Sequence, residues 1–129
     1  MARRKQTQPT EAELEILNIL WRDGPSTVRQ VQHQLNAVRP TGYTTALKFL
    51  QLMIDKELVL RDDSGHAHIY RAKAPQQQTQ RQLLGDLMER GFGGSAMQLA
   101  MQALSLQKVS SEEVAQIRTL LDQLEKDNS

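Results

Sequence analysis

From Thr10 onward, apolar side chains recur every three or four positions, and the gaps between runs carry Gly, Pro, Asp or Ser. Leu14, Leu17 and Trp21 share one helical stripe, widened by Ile16 and Leu20, and Asp23-Gly24-Pro25 stops it. Thr10 and Glu13 form a capping box at its start, each side chain serving the other's amide. Ser26 is the expected cap of a short second helix with the stripe Val28, Val31 and Leu35, which leaves Arg29, Gln32 and His33 facing away. After Val38-Arg39-Pro40 a third helix is expected from about Thr41 to Lys56, burying Ala46, Leu47, Phe49, Leu50, Met53 and Ile54.

Periodicity then changes. Leu58 to Arg61 and Ala67 to Arg71 read as strands around the polar turn Asp62-Asp63-Ser64-Gly65-His66. Three helices followed by a hairpin predict a winged helix-turn-helix over residues 10–73.

Pro75 suits the first turn of a fourth helix, with Gln76, Gln77, Gln78, Gln80 and Gln82 on a solvated face and Leu83, Leu84, Leu87 and Met88 following. Gly91-Phe92-Gly93-Gly94 breaks it. A helix from about Ser95 to Gln107 carries Met97, Leu99, Met101 and Leu104, and Ser110 opens a last one through a capping box to Glu113, with Val109 stapled to Val114. Its stripe is Val114, Ile117, Leu121 and Leu124, with Leu120 beside it. The fold class is therefore mainly α with a small β-hairpin: a winged-helix domain plus a helical domain over 74–129. Three short amphipathic helices offer more apolar stripe than they can hide from one another. A second copy of the chain, packing against Leu84, Leu87, Met101, Leu104 and the last stripe, is the preferred solution over folding back on residues 10–73.

Charge sharpens this division. The 129 residues have a formal net charge of +1, yet residues 1–73 carry +3 and residues 74–129 carry −2. The basic half is where a polyanion would dock. Residues 1–9, with Arg3, Arg4 and Lys5, read either as a flexible solvated tail or as a basic arm that touches phosphate or the minor groove. The absence of cysteine excludes disulfides, thiolate zinc sites and cysteine nucleophiles and fits a reducing cytoplasm. No apolar run reaches spanning length and no leader pattern is present, so a soluble protein without a membrane partner is expected.

The third helix holds the candidate chemistry. Thr41, Thr44, Thr45 and Lys48 stand at i, i+3, i+4 and i+7, sharing one face that has no apolar partner to satisfy. Small hydroxyls permit close approach to a base edge or phosphate, Lys48 adds a charge, and the helix N-terminus favours phosphate. Tyr43 either packs as core or stacks along the sugar-phosphate backbone. Arg39 is a candidate phosphate contact, and Arg61 and His66 are the candidates in the wing. A catalytic apparatus is missing: there is no glycine-rich phosphate loop, nucleophile elbow or paired histidine on a helix, so neither an enzyme nor a cofactor is expected. His66 and His68 alternate along a strand face, where two imidazoles are either surface residues or part of an incomplete metal site. Adjacent Asp62 and Asp63 are explained by solvation in the turn.

The segment Thr10-Glu11-Ala12-Glu13-Leu14-Glu15-Ile16-Leu17-Asn18-Ile19-Leu20-Trp21, the Tyr43-Thr44-Thr45-Ala46-Leu47 block, the Asp55-Lys56-Glu57-Leu58-Val59 exit and Gly65-His66-Ala67-His68-Ile69-Tyr70 together resemble the penicillinase-repressor family, the BlaI/MecI/CopY transcriptional regulators. The resemblance covers the chain after its first eight residues. It implies a homodimeric repressor on a palindromic double-stranded DNA operator, with each third helix in a major groove and a C-terminal dimerisation domain. It also implies control of a β-lactamase or sensor-peptidase type operon. In β-lactam-responsive members a regulatory protease cuts an Asn-Phe bond in that domain. Here the comparable segment has no such pair, and its nearest positional analogue is Gln98-Leu99. The cysteine-rich tail of copper-responsive members is absent, and His66 stands where family wings often have arginine. A small-molecule-responsive regulator and a winged-helix protein-interaction module remain the alternatives.

Overall fold

The computed structural model describes residues 8–129. Most of the basic arm expected over residues 1–9, with Arg3, Arg4 and Lys5, lies outside the described residues. The elements run α1 (Glu11–Asp23), α2 (Val28–Asn36), α3 (Tyr43–Asp55), β1 (Val59–Asp62), β2 (Ile69–Ala72), α4 (Gln76–Gly91), α5 (Ala96–Leu106) and α6 (Ser111–Asp127). They form two compact units, one reaching to Leu83 and the other spanning Leu84–Ser129.

In the first unit, α1 starts as its sequence dictates: Thr10 Oγ1 accepts from the Glu13 amide at 3.2 Å while Glu13 Oε1 accepts from the Thr10 amide at 2.9 Å. Gly24 ends the helix at φ +83°, where its amide donates to the Leu20 carbonyl. Ile16, Leu17, Ile19 and Leu20 from α1 meet Val28, Val31 and Leu35 from α2, Ala46, Leu50 and Met53 from α3, and Val59 and Tyr70 from the hairpin in one buried cluster. Leu14 and Trp21 lie at its margin. Trp21 donates its Nε1 hydrogen to the Ala74 carbonyl at 2.9 Å, which fastens the exit of the hairpin to α1.

The second helix begins one residue later than the sequence suggests. Thr27, not Ser26, is its cap, in a capping box with Gln30. Ser26 instead exchanges two backbone hydrogen bonds with Tyr70, at 2.9 and 2.8 Å. Tyr70 also opposes Arg61 in the antiparallel register of β1 and β2, so β2 is paired on both sides at that point. This long-range bridge outcompetes a local cap that Thr27 supplies equally well.

Helix α3 ends in a left-handed turn without glycine. Glu57 has φ +62°, its amide donating to Ile54 and that of Leu58 to Met53.

In the second unit, α4 ends where the glycines predict: the Gly94 amide donates to the Met88 carbonyl at 2.9 Å, with Gly93 and Gly94 at positive φ. Ser95 caps α5 through the Gln98 amide, and Ser110 caps α6 in the expected box with Glu113. No residue of Leu84–Ser129 is buried.

Candidate nucleic-acid interface

The approach to α3 is a tight loop held from α2. Asn36 Oδ1 accepts from the Thr41 amide at 2.6 Å, Gln32 Nε2 donates to the Thr41 carbonyl at 3.1 Å, and the Thr41 hydroxyl donates to the Arg39 carbonyl at 3.0 Å. These bonds use up Thr41, so the helix starts at Tyr43 and Thr41 is not on its face, contrary to the spacing argument. Arg39 is likewise committed, its guanidinium bonded to Glu15 of α1. The N-cap Gly42 has no side chain to cap the helix, which leaves the first amides of α3 open to an outside acceptor.

Past that turn the expected face is intact. Tyr43, Thr44, Thr45 and Lys48 are exposed, and among the described residues the side chains of Thr44, Thr45 and Lys48 make neither a hydrogen bond nor an ion pair. Tyr43 settles between its two expected roles: 44% exposed, it carries the Arg29 guanidinium over its ring at 5.6 Å from the centroid. The sequence reading placed Arg29 away from the apolar stripe of α2 and gave it no role. It makes no ion pair among the described residues, and it sits in the first turn of α2 beside the recognition face. The Thr27-x-x-Gln30 capping box could have placed Arg29 in the first turn of α2, but not beside Tyr43.

The wing differs in detail from its expected form. Strand β1 runs to Asp62 and β2 begins at Ile69, so His66 and His68 lie in an exposed loop rather than alternating on a strand. Nor are the two aspartates merely solvated. Asp62 Oδ1 accepts from the Ser64 amide at 2.9 Å, and the Ser64 hydroxyl and amide hold its carboxyl below the ordinary aspartate value. Asp63 Oδ1 lies 2.8 Å from both Arg61 Nε and His68 Nδ1. Arg61 is therefore partly neutralised before any ligand arrives; its pKa is raised first by Asp63 and next by the Tyr70 hydroxyl nearby. Among the described residues no group of three His, Asp or Glu side chains could hold a metal ion.

In the second unit the expected dimer face stands open. Leu84, Leu87, Met101, Leu104, Leu121 and Leu124 are exposed, Met101 at 63%, while Val114 and Ile117 are half-buried within the unit. Met97, Leu106 and Leu120 extend the apolar surface. The Gln98-Leu99 bond lies inside the first turn of α5, with the Gln98 amide held by the Ser95 hydroxyl oxygen at 3.1 Å. No helix of the described residues is long and apolar enough to cross a membrane.

Residues 9–123 match the family model described as penicillinase repressor. Over 122 residues the chain is 30% identical to proteins named "Transcriptional regulator BlaI" from two strains of Mycobacterium tuberculosis, CDC 1551 / Oshkosh and ATCC 25618 / H37Rv, covering 94% of this chain and 88% of each relative. The winged-helix unit, the helical C-terminal part and these matches over nearly the whole length agree, and the chain belongs to the penicillinase repressor family of transcriptional repressors.

Proposed function

We propose that this repressor acts in the cytoplasm as a homodimer on a palindromic operator in double-stranded DNA, laying α3 of each protomer in a major groove with the hairpin along the backbone. The regulated genes are a β-lactamase or sensor-peptidase type operon. The bare face of α3 carries the reading. Thr44, Thr45 and Lys48 are exposed, leave their polar atoms unpartnered among the described residues, and follow an uncapped helix start. Tyr43 borders that face, and Arg61 and His66 serve the wing. Arg39 reaches a phosphate only by leaving Glu15, and Thr41 contributes by fixing where the helix begins.

The open apolar surface of Leu84–Ser129 supports dimerisation, because a unit with no buried residue gains its core from a second copy. A regulatory protease acting at Gln98-Leu99 must first unwind the start of α5, which couples cleavage to loss of helix in the dimerisation domain.

Selection from a random duplex library tests the reading. The native protein should enrich an inverted repeat whose half-sites lie about one helical turn, or a multiple of it, apart. The combined Thr44→Ala, Thr45→Ala and Lys48→Ala variant should lose that enrichment. Recovery of single half-sites without symmetry, or of no sequence at all, would count against it.

A further inference from the structure

Between the start of α2, the outer side of α3 and the hairpin runs a groove lined by Thr27, Val28, Arg29, Arg61 and Tyr70, among others. Tyr70 is fully buried, yet its Oη has no hydrogen-bond partner, and it is the lone such buried side-chain atom among the described residues. Leaving a buried hydroxyl unpaired costs stability that phenylalanine would not. Its neighbours explain why no partner is found. The Arg61 guanidinium lies near the Tyr70 oxygen without reaching hydrogen-bond geometry, and a guanidinium has only hydrogens to offer. The hydroxyl hydrogen therefore still lacks an acceptor.

The start of α2 and Arg29 add donors to a lining that also includes Gln51 and His68. Thr27 caps α2 by accepting from the Gln30 amide, so the Val28 and Arg29 amides at the first two helical positions have no acceptor within the helix. Arg29 adds a guanidinium with no carboxylate partner among the described residues. A helix N-terminus, the Arg29 guanidinium, the Arg61 guanidinium shared with Asp63, and a buried hydroxyl border one groove, a set of donors that suits an acceptor-rich anion.

We infer that this groove receives a phosphate of the DNA backbone, with Tyr70 Oη donating to one phosphate oxygen while the α2 amides, Arg29 and Arg61 meet its charge. The inference rests on the DNA-binding reading above and adds to it Arg29, Tyr70 and the start of α2. Arg61 is exposed, and an incoming phosphate draws it from Asp63 and uncovers the hydroxyl. Tyr70 thus carries a cost in the free protein that is recovered on the complex.

The test compares native protein, Tyr70→Phe and Arg29→Ala on a mixed-sequence duplex at low salt, because phosphate contacts do not depend on sequence. Tyr70→Phe should melt at the same temperature as the native protein or higher, and bind the duplex roughly tenfold more weakly, the usual weight of a hydrogen bond to a charged group. Its salt dependence should be unchanged, since the lost donor is neutral, whereas Arg29→Ala should lose both affinity and salt slope. Equal duplex affinity of Tyr70→Phe and native protein overturns the inference while leaving DNA binding in place. A lower melting temperature for Tyr70→Phe also overturns it, since the hydroxyl would then have a partner in the free protein. If the native protein binds no duplex, the DNA-binding reading fails first and this inference with it. Melting in inorganic phosphate against chloride at equal ionic strength separates the remaining case: stabilisation that depends on Tyr70, with no effect on duplex binding, assigns the groove to a free anion and overturns the DNA assignment.

Discussion

Lys56 Nζ lies 2.9 and 3.1 Å from the two carboxylate oxygens of Glu13, joining the residue after α3 to the first turn of α1. Glu13 is 3% exposed and also completes the capping box with Thr10, so a single carboxylate fixes a helix start and an interhelical distance together. Breaking a fully buried pair costs about 3–5 kcal/mol. The Lys56 side chain remains 28% exposed, so Lys56→Met should cost about 2 kcal/mol, read as a lower urea midpoint at unchanged slope.

The same pair sets a pH dependence. Burial by itself raises the Glu13 pKa, but hydrogen bonds from Lys56 and Thr10 and the Lys56 charge outweigh it and hold the carboxyl below its ordinary value of 4.5. A depressed folded-state pKa gives stability that is complete above the unfolded value and lost as pH falls through the folded one. Urea midpoints measured downward from neutral pH should therefore fall more steeply below 4.5 for the native protein than for Glu13→Gln. Parallel curves would remove Glu13 from the acid response.

Lys48→Ala should weaken duplex binding and reduce the slope of log affinity against log salt by about 0.9, the value for one phosphate neutralised. Thr44→Ala should leave that slope unchanged and instead relax sequence preference. A native slope in Lys48→Ala places the lysine outside the interface.

On the proposed operator complex, Asp63 would compete with DNA for the wing. Asp63→Asn removes the carboxylate 2.8 Å from Arg61 Nε and from His68 Nδ1, which should raise duplex affinity and steepen its salt dependence. Fluorescence anisotropy across a salt series reads both quantities. Reduced affinity would mean that Asp63 orders the wing rather than neutralising it.

Ile117→Asp and Leu121→Asp each set a charge on the α6 stripe. Both should lower the dimer fraction in sedimentation equilibrium and, through lost bivalency, weaken binding to a two-half-site duplex far more than to a single half-site. An undisturbed dimer in both variants moves the interface elsewhere.

Element order and both terminal capping boxes were legible in the sequence because they depend on residues three or four apart, as Thr10 with Glu13 and Ser110 with Glu113. The α2 stripe of Val28, Val31 and Leu35 is buried as its spacing requires. What escaped depends on residues far apart in the chain. Ser26 looks like a cap until Tyr70, brought beside it by the hairpin, claims its backbone. Arg39 looks like a free cation until α1 presents Glu15, and Thr41 looks helical until Asn36 takes its amide. Within the candidate site, the Thr44, Thr45 and Lys48 face followed from helical period alone, whereas Arg29 joins Tyr43 only through the packing of α2 on α3. His66 and His68 were misplaced because the turn between β1 and β2 is longer than the polar cluster suggested.

Helices that fully bury no side chain among themselves gain little stability of their own, because most helical stability in proteins comes from packing. If Leu84–Ser129, most of whose leucines and methionines stand open, pairs with a second copy as proposed, its stability becomes a function of how many copies of the chain are present, since mass action sets how much apolar surface is covered. The number of repressor molecules in a cell would then govern two quantities together, the order of the C-terminal helices and the grip of the proposed pair of winged helices on DNA. In that proposed dimer, dilution through growth, with no signal at all, would loosen both.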